Sequence, residues 1–299
     1  MTLTVAIVAP GNMGAAVARR LVENGVRVLT WLGGRSAASE TRASAAGMTA
    51  VELGELARAE VVLSVLPPAH ALAFARQMAP VLAGAVSAAP AAGGEGKPLF
   101  VDCNAVSPDT VREIAAVVAG VGVPFVDGSI IGLPPRPGQP SPHFYMAGAA
   151  RDTARVLLLA EHGLDIRVLD GPVGAASALK MCYAGINKGL AAIASAMILA
   201  AARSGASAAL YQEMSESLPG LLTSLGRQVP DMLPKAHRWV AEMREIAAFA
   251  AADAGANAVY VGFSELFDRL ARDAAQDGAE SAALRQFFAN PERSLNFPG

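Results

Sequence analysis

The chain opens with an apolar run, Thr4 to Val8, that stops at the turn Ala9-Pro10-Gly11-Asn12-Met13-Gly14 and passes directly into an alanine-rich stretch, Ala15 to Asn24, of helical character. Strand, glycine turn, helix is the context in which a G-x-G-x-x-G-like string acquires a physical meaning. A continuous β-branched and apolar run is the pattern of a parallel strand buried on both faces. Gly11 would let the backbone approach a pyrophosphate, and Gly14 would let the new helix lie close on the strand. The free N–H groups at the helix start, beside Asn12 and Met13, would then face the phosphates. Ala9 stands where the first glycine of the fingerprint would be. The competing reading is an ordinary strand-to-helix turn.

A chain of 299 residues is long enough for two domains, and 53% hydrophobic with 17% charged residues can bury a large core. The net charge of −2, without a long basic run, disfavours nucleic acid and anionic membranes as partners. Two cysteines, Cys103 and Cys182, supply neither a disulfide framework nor a CxxC metal site. No metal is expected, and a reducing, cytoplasmic setting fits. No basic region precedes the first apolar run, so it reads as a strand, not a signal peptide. The longest later apolar segment, Gly189 to Ala202, is shorter than a membrane span.

Val26 to Leu32 reads as the second strand. An acidic residue near its end would hold the ribose 2′-hydroxyl of NAD. No acid lies between Glu23 and Glu40; Gly33-Gly34-Arg35-Ser36 stands there instead. Arg35 can pair with a 2′-phosphate and Ser36 can donate to it, which favours NADP over NAD; the alternative is a solvated arginine in a turn. Val61 to Leu66 is a buried strand that stops at Pro67-Pro68, making Leu66 and Pro67 candidate walls for a nicotinamide. Ala69 to Leu82 looks helical and Gly84 to Lys97 reads as a surface loop. Leu99 to Cys103 is a strand ending in Asn104, and Ser107-Pro108-Asp109 signals a helix start. Val123 to Ile131 is the next strand, followed by the proline-rich loop Leu133 to His143 and a short strand, Phe144 to Ala147. This alternation predicts an α/β unit, a Rossmann-type wound and mostly parallel sheet over residues 1–169. From Gly174 no proline occurs until Pro219, and the pattern is helical almost to the end. Residues 170–299 are therefore expected to form an all-α domain that begins with a long interdomain helix.

That helix opens with GPVGAASALKMCYAGINKG, Gly171 to Gly189. Helical spacing puts Lys180, Tyr183, Ala184 and Asn187 on one face. A lysine among small apolar residues is costly to bury unpaired. Burial beside a cofactor would depress its pKa and fit it for proton exchange near neutral pH; a snorkelling surface lysine is the alternative. Lys188 reads as a solvated neighbour.

These residues resemble the β-hydroxyacid dehydrogenase superfamily, which includes 3-hydroxyisobutyrate and 6-phosphogluconate dehydrogenases. Ala9 to Gly14 resembles its glycine motif, Asp102-Cys103-Asn104 its strand-end aspartate and polar residue, and Gly171 to Asn187 its lysine motif. The resemblance implies that Lys180 is the proton donor and acceptor and that the chain is a homodimer with packed helical domains. Three departures accompany it. Tyr183 and Ala184 stand where the family commonly has Asn-Asn or His-Asn, leaving Tyr183 or Asn187 to substitute. In the substrate loop, Asp127 to Leu133, Ile131 replaces a serine, with Ser129 and Gly132 nearby. In Trp239 to Ala247, Arg244 takes a lysine's place, and His237, Arg238 and Arg244 are candidates for an anionic substrate group. The YAG and HRWVAEM stretches resemble a subgroup with a poorly characterised C-terminal domain.

The resulting expectation is an NADP-dependent oxidoreductase acting on a small hydroxy or keto substrate, with Lys180 exchanging the proton. Two rivals remain. The string DGSIIGLPP resembles the corresponding loop of imine reductases and would line an apolar pocket for a carbon–nitrogen double bond. Loss of the asparagine at Ala184 suits an NADP-binding module without turnover.

Overall fold

The computed structural model describes residues 2–88, 97–136, 138–276 and 278–289. The chain forms two compact units, residues 1–180 and 181–299.

In the first unit the strands are β1 (Thr4–Val8), β2 (Arg27–Thr30), β3 (Thr49–Ala50), β4 (Val61–Ser64), β5 (Leu99–Asp102), β6 (Phe125–Ile131), β7 (His143–Gly148) and β8 (Asp165–Val168). They form one sheet in the order β3-β2-β1-β4-β5-β6-β7-β8. Every pairing is parallel except β6 with β7, which is antiparallel. The helices of this unit are α1 (Asn12–Glu23), α2 (Ala37–Ala45), α3 (Ala71–Ala88), α4 (Pro108–Ala119) and α5 (Ala150–Val156). Alternation along β1 shows why its sequence is apolar throughout. Val5 and Ile7 pack with Val17, Ala18 and Leu21 of α1 on one face. Ala6 and Val8 pack with Phe74, Met78 and Ile114 of α3 and α4 on the other. With no solvent face, no position along the strand favours a polar residue.

α1 begins at Asn12, ahead of the expected Ala15. α4 starts where its signal predicts: Ser107 is the N-cap and its hydroxyl accepts from the Thr110 N–H at 3.2 Å. The expected loop from Gly84 begins later, because α3 continues beyond Leu82 to Ala88; residues 89–96 of that segment lie outside the described residues.

α6 (Ala175–Arg203) runs from the first unit into the second, which continues with α7 (Ser207–Ser217), α8 (Pro219–Met232), α9 (Ala236–Phe249), α10 (Ala254–Ala274) and α11 (Ala279–Ala289). The second unit is all-helical among its described residues, around a core that includes Ile198, Leu199, Val229, Met232, Met243, Phe267 and Leu284. The units divide between Lys180 and Met181, eleven residues after the expected 169/170 boundary, because the first turns of α6 are tied to the sheet. At 29 residues α6 exceeds the expected apolar segment, and by length and composition alone it could cross a membrane. Ala191, Ala192, Ile198 and Leu199 place part of it in the core of the helical unit instead.

Candidate active site

In an open wound sheet, ligands bind beyond the carboxyl ends of the strands where the strand order reverses. Here that point lies between β1 and β4, since β2 continues the order on one side and β5 on the other. The turn after β1 sits at this point. Gly11 is the N-cap of α1 and leaves the helix start without a side-chain cap. A Cβ built on Gly11 meets nothing within 4 Å, so the backbone faces open space. Gly14 is different: a Cβ there would lie 2.1 Å from the Ala9 carbonyl oxygen. Asn12 is exposed and Met13 is half-buried against the core. Ala9 is 7% exposed and its methyl joins the apolar cluster, so this turn packs a side chain where the fingerprint has glycine.

The loop after β2 carries a second cationic feature. Gly33 lies under the Trp31 ring, where a Cβ would come within 2.4 Å, and Gly34 has φ +71°. Arg35 follows, with its Nε buried and without a hydrogen-bond partner among the described residues. Ser36 is exposed and caps α2 by position, its Oγ 3.2 Å from the Ser39 Oγ. Sequence reasoning missed Arg42. Its Nε donates to the Pro10 carbonyl at 2.9 Å and its Nη2 to the Ser39 Oγ at 3.0 Å. The open seat at Gly11 and the unpartnered Arg35 nitrogen fit a phosphate-bearing dinucleotide.

Four residues form one row in register: Val8, Ser64 and Asp102 end β1, β4 and β5, and Asp127 is the third residue of the longer β6. Asn104 organises its middle. Its Oδ1 accepts the Leu66 N–H at 2.5 Å, and its Nδ2 donates to the Ser64 Oγ at 2.8 Å and the Asp102 Oδ2 at 2.7 Å. The Asn104 N–H donates to the Asp102 Oδ1 at 3.0 Å. Burial raises the Asp102 pKa to about 7, helped by the neighbouring Asp127 and opposed by Asn104 and Lys180. Burial also pushes the Cys103 thiol up. Lys180 is half-buried, and burial lowers its pKa, while Cys103 and Asp102 act in the other direction. The amine therefore lies in the electrostatic field of the β5 terminus.

Asp127 explains how the lysine is placed. Its Oδ2 accepts the N–H groups of Gly174 (2.8 Å), Ala176 (2.9 Å) and Ser177 (3.1 Å). Its Oδ1 accepts from the Ser177 hydroxyl at 2.7 Å. A carboxylate from within β6 thus caps the start of α6, satisfying donors that a helix N-terminus leaves free. Burial pushes the Asp127 carboxyl above the ordinary range and these donors oppose it.

Comparison with known proteins is consistent with this geometry. Residues 4–90 match the family described as NADP oxidoreductase, coenzyme F420-dependent, and residues 201–270 match a domain of unknown function, DUF1932. No curated protein matches. Among solved structures, the conserved protein MTH1747, of unknown function and described as structurally similar to 3-hydroxyacid dehydrogenases, is 27% identical, with TM-score 0.73 over 93% of this chain and 100% of that one. A 3-hydroxyisobutyrate dehydrogenase from Mycobacterium tuberculosis, solved with L-serine, is 21% identical, with TM-score 0.69 over 96% and 99%. The chain thus resembles the β-hydroxyacid dehydrogenases, and its N-terminal region matches an NADP oxidoreductase family. An imine reductase variant from Myxococcus stipitatus, solved with NAD+, shares the fold at 17% identity, with TM-score 0.52 over 96% and 99%.

The other candidate residues of this dehydrogenase-like chain occupy varied surroundings. Leu66 is buried at the end of β4 and Pro67 is exposed. Ser129 points inward from β6 at 0% exposure, and its Oγ has no partner among the described residues. Ile131 is half-buried, Gly132 has φ +131° against Pro142, and Leu133 is 80% exposed. In the helical unit Tyr183 is 51% exposed. Asn187 is engaged instead: the Gln228 Nε2 donates to its carbonyl at 2.9 Å and to its side-chain oxygen. His237 and Arg244 are exposed on α9. Lys188 corrects the expectation of a solvated side chain. It pairs with Glu242 and lies 5.2 Å over the Trp239 ring.

Proposed function

We propose that the chain is an NADP-dependent oxidoreductase for a small hydroxy or keto substrate, with Lys180 as the general acid–base group. The observation that carries this reading is the half-buried amine at the carboxyl end of β5, its pKa lowered by burial and flanked by Asp102. A bound nicotinamide supplies the hydride chemistry. Gly11, Asn12, Met13 and Gly14 hold the pyrophosphate, Arg35 and Ser36 take the 2′-phosphate, and Leu66, Pro67 and Asn104 bound the redox end. Lys180 gives its proton to the substrate oxygen during reduction and removes it during oxidation. As an ammonium it also stabilises the developing alkoxide. Tyr183, one turn further along α6 and exposed, is the better substitute for the family asparagine, because Gln228 already occupies Asn187. His237 and Arg244 are retained as anion-binding candidates and Ser129, Ile131 and Gly132 as substrate-loop residues.

The test is stopped-flow mixing of NADPH with ketoacids, aldehydes and cyclic imines, using wild type and Lys180→Met. Oxidation of NADPH by a ketoacid or aldehyde, reduced about 10²–10⁴-fold in the variant, is expected. Full activity in the variant would remove Lys180 from the mechanism. Tight NADPH binding without turnover by any substrate would leave a nucleotide-binding module. Reduction of a C=N bond is the second reading. The half-buried Ile131 and the exposed Leu133 favour it, because they give the β6 end an apolar character.

The same reading includes a homodimer. Tyr183, Ile186, Leu190, Ile193 and Met197 are all exposed along α6, at alternating spacings of three and four residues, the pattern of a helix–helix seam. Light scattering should give twice the chain mass, and Ile193→Glu should give a monomer. The free thiols Cys103 and Cys182 suit a reducing, cytoplasmic location.

A further inference from the structure

The NADP reading rests on Arg35 and Ser36, yet the structure ties a second guanidinium to the same loop. Arg42 bridges two segments far apart in sequence. Its Nε donates to Pro10 in the glycine turn after β1, and its Nη2 donates to Ser39 on the first turns of α2. The Ser39 Oγ in turn lies 3.2 Å from the Ser36 Oγ. The result is a chain of polar groups, Pro10–Arg42–Ser39–Ser36, that runs from the pyrophosphate turn to the residue beside Arg35. Arg42 is half-buried, so its stem is packed, and its Nη1 makes no hydrogen bond among the described residues. Glu40, the acid in the first turn of α2, is exposed and therefore well hydrated.

We propose that Arg42 is a specificity-determining residue: with Arg35 it forms a two-guanidinium seat for the 2′-phosphate, and it orients the hydrogen-bonded Ser39–Ser36 pair so that the one hydroxyl proton left free donates to the same group. The inference rests on the NADP reading above and deepens it. A planar fork that spends Nε and one Nη2 hydrogen on protein oxygens keeps Nη1 free in a fixed direction, which a lysine cannot do. The phosphate would receive charge-assisted hydrogen bonds from an arginine that is already ordered.

The experiment is titration calorimetry of the full chain with NADP+, NAD+ and adenosine 2′,5′-bisphosphate, for wild type, Arg42→Met, Arg42→Lys and Arg35→Met. Methionine keeps the packed stem and removes the fork. Arg42→Met should weaken NADP+ and the bisphosphate about 10–100-fold and leave NAD+ within about twofold. Arg42→Lys should fall between, because charge returns without the fork. Equal weakening of NADP+ and NAD+ in Arg42→Met would show that Arg42 merely props the glycine turn, and no change would show that it does neither; both overturn the proposal. Arg35→Met keeps the two levels apart. Loss of NADP+ preference there but not in Arg42→Met sinks the Arg42 proposal alone. A wild type without preference for NADP+ sinks both. Should Arg42→Met fail to fold, the conservative Arg42→Lys still decides: unchanged NADP+/NAD+ discrimination in it overturns the fixed-fork assignment.

Discussion

Two helices of the sheet unit begin at the carboxyl ends of its strands, and they begin in opposite ways. α1 starts at Gly11 with no side-chain cap and open space around the missing Cβ. α6 starts on the Asp127 carboxylate, which is 0% exposed and accepts four hydrogen bonds. Both helix starts offer free N–H groups and a positive dipole end. One is answered by the protein's own carboxylate, and the other is left for an anion from outside. The difference separates structural from binding chemistry within a single sheet edge.

Breaking the closed start should have the largest effect. Asp127→Ala leaves three N–H groups and one hydroxyl without their acceptor, so urea unfolding should show a loss of about 3 kcal/mol or more. Its row neighbour gives a pH effect. The Asp102 pKa is about 7 in the folded chain against 3.8 ordinarily, so the native state binds the extra proton between those values. Stability should therefore be higher on the acid side of that window and fall as pH rises through it, by up to one proton's slope. In Asp102→Asn that component of the slope should vanish; an unaltered difference between pH 4.5 and pH 7.5 would contradict the assignment. Next comes the packing glycine of the open start. Gly14→Ala forces a Cβ against the Ala9 carbonyl oxygen and should cost about 1–3 kcal/mol, with weaker dinucleotide binding. The smallest change in stability sharpens the comparison most. Gly11→Asp makes the open start resemble the closed one at a backbone conformation (φ −72°, ψ −175°) any residue adopts. Thermal unfolding should show a gain of about 0.5–1 kcal/mol, while dinucleotide affinity falls at least tenfold. Unchanged affinity in this variant would mean that the start of α1 is not an anion seat.

The legible part of the molecule was the part written locally. β1 and its glycine turn, the Ser107 cap of α4 and the shift to an all-helical second half each follow from neighbours in sequence. The unreadable part depended on long-range partners. The helix pattern from Ala69 past Pro80 to Leu82 could be seen, but its continuation to Ala88 could not. Asp127 looked like a strand-end acid of a substrate loop; its bonds to α6 span about fifty residues of chain, and no local signal marks them. Arg42 is seven positions beyond Arg35 and shows its relevance through Pro10, on another strand's turn. Lys188 read as solvated because neither Glu242 nor Trp239 is near it in sequence. Lys180 stood out because an ammonium among alanines is chemically conspicuous whatever its surroundings.

The cap on α6 also sets an angular reference for that helix. Asp127 grips the backbone at Gly174, Ala176 and Ser177, so the rotation of the helix about its own axis is indexed at that point. Lys180 follows Ser177 by three residues, roughly 300° of turn and about 4.5 Å of rise. One alanine inserted between them would swing the amine by about 100° and advance it by about 1.5 Å, with the grip itself untouched. The address of the proton-transfer group is thus written in residue count from a carboxylate on a neighbouring strand.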